Sequence, residues 1–186
     1  MEDVLGRKVY EELYRLLDRV TPLEGDCGLL CHKACCGQKD SGLGMYLLPG
    51  EEAMFSRQED WLDWEEHRVE DYDFPPSWSG TTYFVRCRRD CPREKRPIQC
   101  RTFPLAPHLT PGGSLVLIWE TLSLPYSCPI ITGRITLRPE FAENVRRVWE
   151  RLLTSPLIRD LVEFDSRQRV REGLPVELAY PHPTES

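Results

Sequence analysis

The chain has 186 residues, of which 40% are hydrophobic and 29% charged, with a formal net charge of −6 at pH 7. This is ordinary usage for a globular protein, which argues against intrinsic disorder, and no apolar run approaches the length of a bilayer span. The length suits one domain, 1–186, with its own core.

The amino terminus, MEDVLGRKVYEELYRLL, is acidic at positions 2 and 3 and amphipathic after them. It lacks the basic start, apolar stretch and small-residue cleavage site of a secretory signal, so the expected location is cytoplasmic. Val4, Leu5, Val9, Leu13, Leu16, Leu17 and Val20 recur at helical spacing and predict a helix over 3–20, which Thr21-Pro22 stops. This helix makes up the first region, 1–22.

Residues 23–133 form a cysteine-rich stretch. Within it, Gly42 and Gly44 in SGLGMYLLPGEE do not complete a dinucleotide-binding fingerprint, because no strand precedes them and no third glycine follows, so they read as turn residues. Residues 51–73 carry ten acidic groups against Arg57 and Arg68. Trp61, Leu62, Trp64 and Val69 suggest a partly buried helix there with a solvated charged face. Tyr83-Phe84-Val85 and Leu115–Trp119 read as short strands, the second announced by Pro111-Gly112-Gly113, and they are expected to pair as a hairpin.

The next region, 134–172, reads as a helical pair. Phe141, Val145, Val148, Trp149, Leu152 and Leu153 line one helical face just after Pro139. Ser155-Pro156 opens a second helix, with Leu157, Ile158, Leu161 and Val162 as its buried stripe. The tail, 173–186, is rich in proline and expected to be irregular. The fold class that follows is α+β, a small antiparallel sheet with flanking helices around a cysteine-ligated metal centre.

That centre rests on the eight cysteines. CGLLCHKACCG places Cys27, Cys31, Cys35 and Cys36 within ten positions, and Cys87, Cys91, Cys100 and Cys128 follow about fifty residues later. In a reducing compartment thiols persist as metal ligands or reactive groups more readily than as disulfides, and a bond between Cys35 and Cys36 would strain the backbone. Thiolate sites draw close pairs of ligands from distant segments, because a short loop aims two sulfurs at one ion and a second loop closes the shell. Three residues separate Cys27 from Cys31, Cys31 from Cys35, and Cys87 from Cys91. This lies within the range of zinc knuckles, and it also suits a helical turn, where residues four apart share a face. Zinc and iron–sulfur clusters both accept four thiolates, so the cofactor expected is zinc or iron, an iron–sulfur cluster included. Cys35 and Cys36 point in different directions in either helix or strand, so at least one ligand to a centre built on the first group is expected from the second.

The ACCG knot, followed by RPIQCRTFPLAP with Cys87 and Cys91 before it and Cys128 after it, resembles a bacterial and archaeal family of zinc- or iron-chelating proteins with a CxxCxxCC signature and eight cysteines. The likeness runs from Cys27 to Pro129, and its most specific elements are Arg96-Pro97, Cys100-Arg101, Phe103-Pro104 and Cys35-Cys36. The chain departs from the signature in having three residues, not two, before Cys31 and before the Cys-Cys pair. The resemblance implies metal binding. The wider group includes a flagellin lysine N-methylase, so the alternative to a structural or metal-handling centre is a metal- or cluster-dependent transferase such as a protein methyltransferase.

Other candidate features have plainer readings. His32 lies inside the knot, but eight thiols make a nitrogen ligand unnecessary, and His108 in PLAPH sits beside the motif as a candidate contact to metal or substrate. Cys36 could be a reactive thiol if its neighbour held metal, though a structural role explains it as well. No phosphate-binding loop, serine-nucleophile elbow or HExxH occurs, and no catalytic residue is assigned. Residues 86–101 hold seven basic side chains against Asp90 and Glu94. The net negative charge argues against a nucleic-acid partner. Arginines beside thiolates offset their charge, and the acidic 51–73 segment offers the rest an internal partner.

Overall fold

The computed structural model describes residues 4–37 and 44–180, and of residues 36 and 37 the backbone alone. The architecture is α+β. The first helix, α1, spans Arg7–Leu17 and buries Tyr10, Leu13, Tyr14 and Leu17 along one stripe. It is shorter than expected because Gly6 is extended and starts it, leaving Val4 and Leu5 to run against the loop around Gly50. A 3-10 turn, Cys27–Leu29, and a short helix, α2 (Ala34–Gly37), carry the first cysteine group.

Three strands then build one antiparallel sheet in the order β1-β3-β2: β1 is Gly44–Tyr46, β2 is Leu62–Arg68 and β3 is Thr81–Cys87. Gly44 therefore lies in a strand rather than a turn, while Gly42 falls outside the described residues. The predicted helix over 51–73 is also corrected. Only 3-10 turns form there, at Glu51–Met54 and Val69–Asp71, with β2 between them. The reason lies across the sheet, where Asp63 stands opposite Arg86 and Trp64 opposite Val85. Alternating side chains let β2 aim its carboxylates at the arginines of β3 and beyond, with Arg86 paired to Glu65 and Arg88 to Asp63. Cross-strand pairs of this kind stabilise a sheet and override a weak helical periodicity.

A five-residue helix, α3 (Ile98–Thr102), leads into a two-stranded sheet, β4 (Leu105–Leu109) with β5 (Leu115–Trp119). The expected hairpin between residues 83–85 and 115–119 does not form. The partner of β5 is β4, with Leu105 opposite Trp119 and Leu109 opposite Leu115, while β3 is already flanked on both sides. Loop length explains this, since the tight turn at Thr110–Ser114, closed by Gly113 N–H donating to Thr110 O at 2.8 Å, costs less closure entropy than a distant pairing.

After α4 (Pro129–Thr132) come the two helices expected from periodicity, α5 (Pro139–Leu152) and α6 (Pro156–Arg171). The main core joins α1, β4, β5, α5 and α6, with Tyr10, Phe141, Val145, Leu152 and Ile158 fully buried. Each such side chain contributes about 1.5–3 kcal/mol by leaving water. A second, smaller core, Leu47, Trp61, Leu62, Val85 and Cys91, lies against the three-stranded sheet. No helix among the described residues is long and apolar enough to cross a membrane.

Candidate metal centre

The first cysteine group is shaped by backbone turns. The Asp26 carboxylate accepts from Gly28 N–H at 2.9 Å and opens the turn that holds Cys27. Leu30 N–H donates to Cys27 O at 3.1 Å, Lys33 N–H to Gly28 O at 2.9 Å and Ala34 N–H to Cys31 O at 3.1 Å. His32 and Lys33 sit at φ 50° and 58°, in the left-handed region. Each costs roughly 1–2 kcal/mol for a residue with a Cβ. They reverse the chain between Cys31 and Cys35, so the helical-turn spacing read for this pair is corrected. Strain of this kind persists where surrounding interactions over-determine the conformation.

The second group comes from three elements. Cys87 ends β3, Cys91 follows a short loop fixed by Arg88 N–H donating to Trp61 O at 2.8 Å, and Cys100 lies within α3. The helical-turn reading fails for Cys87 and Cys91 as well, because a strand end and a loop supply them. Cys91 is buried in the smaller core and its thiol is hydrogen-bonded with Cys87. That bond, then burial, then the charge of Cys87 and Cys100, push the Cys91 thiol well above the ordinary range, against the opposing charge of Arg96. Cys91 thus lies within electrostatic reach of both Cys87 and Cys100.

The two groups approach one another. Lys33 Nζ lies 3.5 Å from an Asp90 carboxylate oxygen, tying the knot to the loop between Cys87 and Cys91. Arg93 donates to Val20 O at 2.6 Å, and its guanidinium feels Cys27 and Asp26, which oppose the lowering of its pKa by burial and by Arg96. Cys27 packs on the main core, as does Cys128, which caps α4 with its carbonyl accepting from Thr132 N–H at 3.0 Å. Cys31 is half-buried and Cys35 exposed, while the Cys36 side chain lies outside the described residues. None of the seven described cysteines is joined in a disulfide. Among the described residues, no three His, Cys, Asp or Glu side chains are gathered closely enough to form a metal shell.

The basic run finds the internal partners expected of it. Besides the pairs on Asp63 and Glu65, Arg89 meets Asp60 at 2.8 Å and Lys95 meets Glu59 at 2.8 Å. The histidine candidates separate. His32 is exposed in the knot, whereas His108 is buried on β4 opposite Val116, its Nδ1 without a partner and its pKa lowered by burial and by Arg169. A shallow cleft of about 180 Å³ lies between Leu47–Gly50, Trp78, Thr82 and Leu157, and neither a cysteine nor His108 lines it.

Sequence reasoning missed Glu51. Counted among ten acidic residues on a solvated face, it is instead fully buried and accepts from Ile98 N–H at 2.7 Å, Leu48 N–H at 3.1 Å and Tyr14 Oη at 2.9 Å. Burial pushes its pKa up, opposed by those three hydrogen bonds and the charge of Arg101. The one available signal was its position directly after the apolar run Leu47-Leu48-Pro49-Gly50.

No family model matches the chain, and no curated protein or solved structure matches it either.

Proposed function

We propose that this is a metal-binding protein in which thiolates of Cys27, Cys31, Cys35, Cys36, Cys87, Cys91, Cys100 and Cys128 supply the ligands of a zinc or iron centre, an iron–sulfur cluster included, that joins the two cysteine groups. The observation that carries the reading is the buried Cys91 thiol in contact with Cys87 and under the charge of Cys100, in a chain whose described cysteines form no disulfide. Thiols in such surroundings rest comfortably as neutral groups and are costly as bare thiolates; a soft cation would offset that cost by taking the sulfurs as ligands. The left-handed pair His32-Lys33 is consistent with a segment shaped for ligation rather than for local stability. The family resemblance in the cysteine spacing and the RPIQCRTFP motif points the same way. The transferase reading gains less support, since the cleft near Trp78 holds none of the residues that would bring metal to a substrate.

Protein purified without oxygen is expected to contain about one or two equivalents of zinc or iron per chain, with sulfur neighbours near ~2.3 Å in X-ray absorption if the metal is zinc. Elemental analysis with thiol counting decides the matter. Metal-free protein with its cysteines oxidised to disulfides would remove the proposal.

A further inference from the structure

Cys100 is held in place by a buried polar circuit that contains no cysteine. Ile98 opens α3, and the N–H groups of a first helical turn have no partner within the helix. Glu51 Oε1 takes the Ile98 N–H at 2.7 Å, two residues before Cys100 and 47 residues away along the chain. Its other oxygen fixes Leu48 N–H at 3.1 Å, and Tyr14 Oη of α1 donates to Oε1 at 2.9 Å. On the far side of Cys100, the Arg101 guanidinium is almost wholly buried. It donates from Nε to Arg96 O at 2.9 Å and from Nη2 to Glu94 O, gripping the loop that runs from Cys91 to Cys100. From Nη1 it reaches Tyr14 O at 3.1 Å and Asp18 Oδ1 at 3.0 Å, and its Cζ lies over the Tyr14 ring, 4.3 Å from the centroid.

Tyr14 thus connects the carboxylate to the guanidinium, and both grip the backbone that leads into one cysteine, at Ile98 N–H and at the Glu94 and Arg96 carbonyls. Burying a carboxylate and a guanidinium is expensive, and apolar side chains of similar volume commonly match such pairs in stability. What apolar residues cannot do is fix a helix start and two loop carbonyls in one geometry, and a thiolate centre requires its sulfurs to be placed closely. We infer that Glu51 and Arg101 are positioning residues of the metal centre, a brace that presents Cys100 in a ligating orientation and ties that orientation to α1. This rests on the metal-binding reading above.

The test uses the full chain loaded with zinc, and in parallel with cobalt, whose visible bands report the thiolate shell. Glu51→Gln turns one acceptor into an amide donor that faces backbone N–H groups. It is expected to weaken zinc binding about 10- to 100-fold in chelator competition and to shift the cobalt–thiolate bands, as changes behind metal ligands do. Tyr14→Phe, which leaves both backbone bonds to Glu51, is expected to lose less. Val145→Ala in the α5 core serves as a control that lowers the melting temperature while leaving zinc affinity and cobalt spectrum at wild-type values. If Glu51→Gln lowers the melting temperature as Val145→Ala does but keeps wild-type affinity and spectrum, the brace is only structural and the inference fails alone. If Glu51→Gln does not fold, Arg101→Lys replaces it, keeping the charge and losing the fork on Arg96 O and Glu94 O. Unchanged affinity and spectrum in that variant overturn the inference equally. Wild-type protein that takes up neither zinc nor cobalt brings down the metal-binding reading together with it.

Discussion

Gly50 shows how much one residue can decide here. Its φ is 91°, and a Cβ placed on it would lie 2.2 Å from the Leu5 carbonyl oxygen and 2.8 Å from Val4 Cγ1. The oxygen belongs to backbone that leads directly into α1, so it cannot swing aside as a side-chain tip could. Gly50→Ala should therefore add a clash to the left-handed penalty and cost roughly 3 kcal/mol or more. Gly80 is the control, with φ 81° and nothing within 4 Å of the same added atom. Gly80→Ala should cost only the conformational term, about 1–2 kcal/mol. Urea unfolding of both variants measures the difference, and equal losses would mean that the approach of Leu5 to Gly50 constrains nothing. The neighbouring Glu51 marks the limit of what a sequence displays at this scale. Its charge is legible and its burial is not, because the donors that satisfy it, Tyr14, Leu48 and Ile98, lie in three separate parts of the chain.

Among the elements, α5 and α6 are readable from spacing alone because a helix makes its own hydrogen bonds and its buried stripe repeats locally. Strand β2 is not, since its choice of strand over helix depends on arginines some twenty residues away, and no local period records the choice of β4 as partner for β5. The β4-β5 sheet also depends on distant chain to protect its edges. Along β4, Leu109 N–H donates to Ser166 Oγ at 2.9 Å and Arg169 donates to Pro107 O at 3.2 Å, both from α6. Along β5, the tail supplies a single bridge with Leu178 opposite Ile118, Trp119 N–H donating to Glu177 O and Ala179 N–H to Leu117 O, each at 3.1 Å. Glu177 is also ion-paired with Arg134, at 2.5 Å, on an exposed surface. Without the tail, the uncharged strand LVLIW would present open backbone groups, which is a template for pairing with another chain. Removing residues 174–186 is expected to cause concentration-dependent self-association relative to the full chain, and Glu177→Lys a weaker form of it. Sedimentation velocity checks this, and a truncated protein that sediments like the full chain at all concentrations would show that the edge needs no cover.

At the scale of the whole molecule, four of the cysteines are divided between the two cores. Cys27 and Cys128 pack on the larger one, whereas Cys87 and Cys91 belong to the smaller. The larger core stands on apolar contacts between helices, including the fully buried Phe141, Val145, Val148 and Leu152 of α5. The smaller has few fully buried apolar members, and its sheet is held by half-buried aromatic contacts such as Tyr46 with Phe84 and Trp64 with Tyr83, together with exposed ion pairs worth only about 0–1 kcal/mol each. A metal drawing sulfurs from both sides would therefore matter unequally, adding little to the helices and much to the sheet and the knot. Anaerobic removal of the proposed metal by a chelator is expected to speed amide exchange over residues 27–37 and 87–100 and in the adjoining strands β1, β2 and β3. Exchange in α5 should stay close to that of the loaded protein, because the hydrogen bonds there are covered by the fully buried Phe141, Val145, Val148 and Leu152. Protection that is the same with and without metal would mean that the centre is not a structural element. Loss of protection in α5 to the same extent as in β3 would mean that the two cores unfold as one unit and that the unequal division drawn here is wrong.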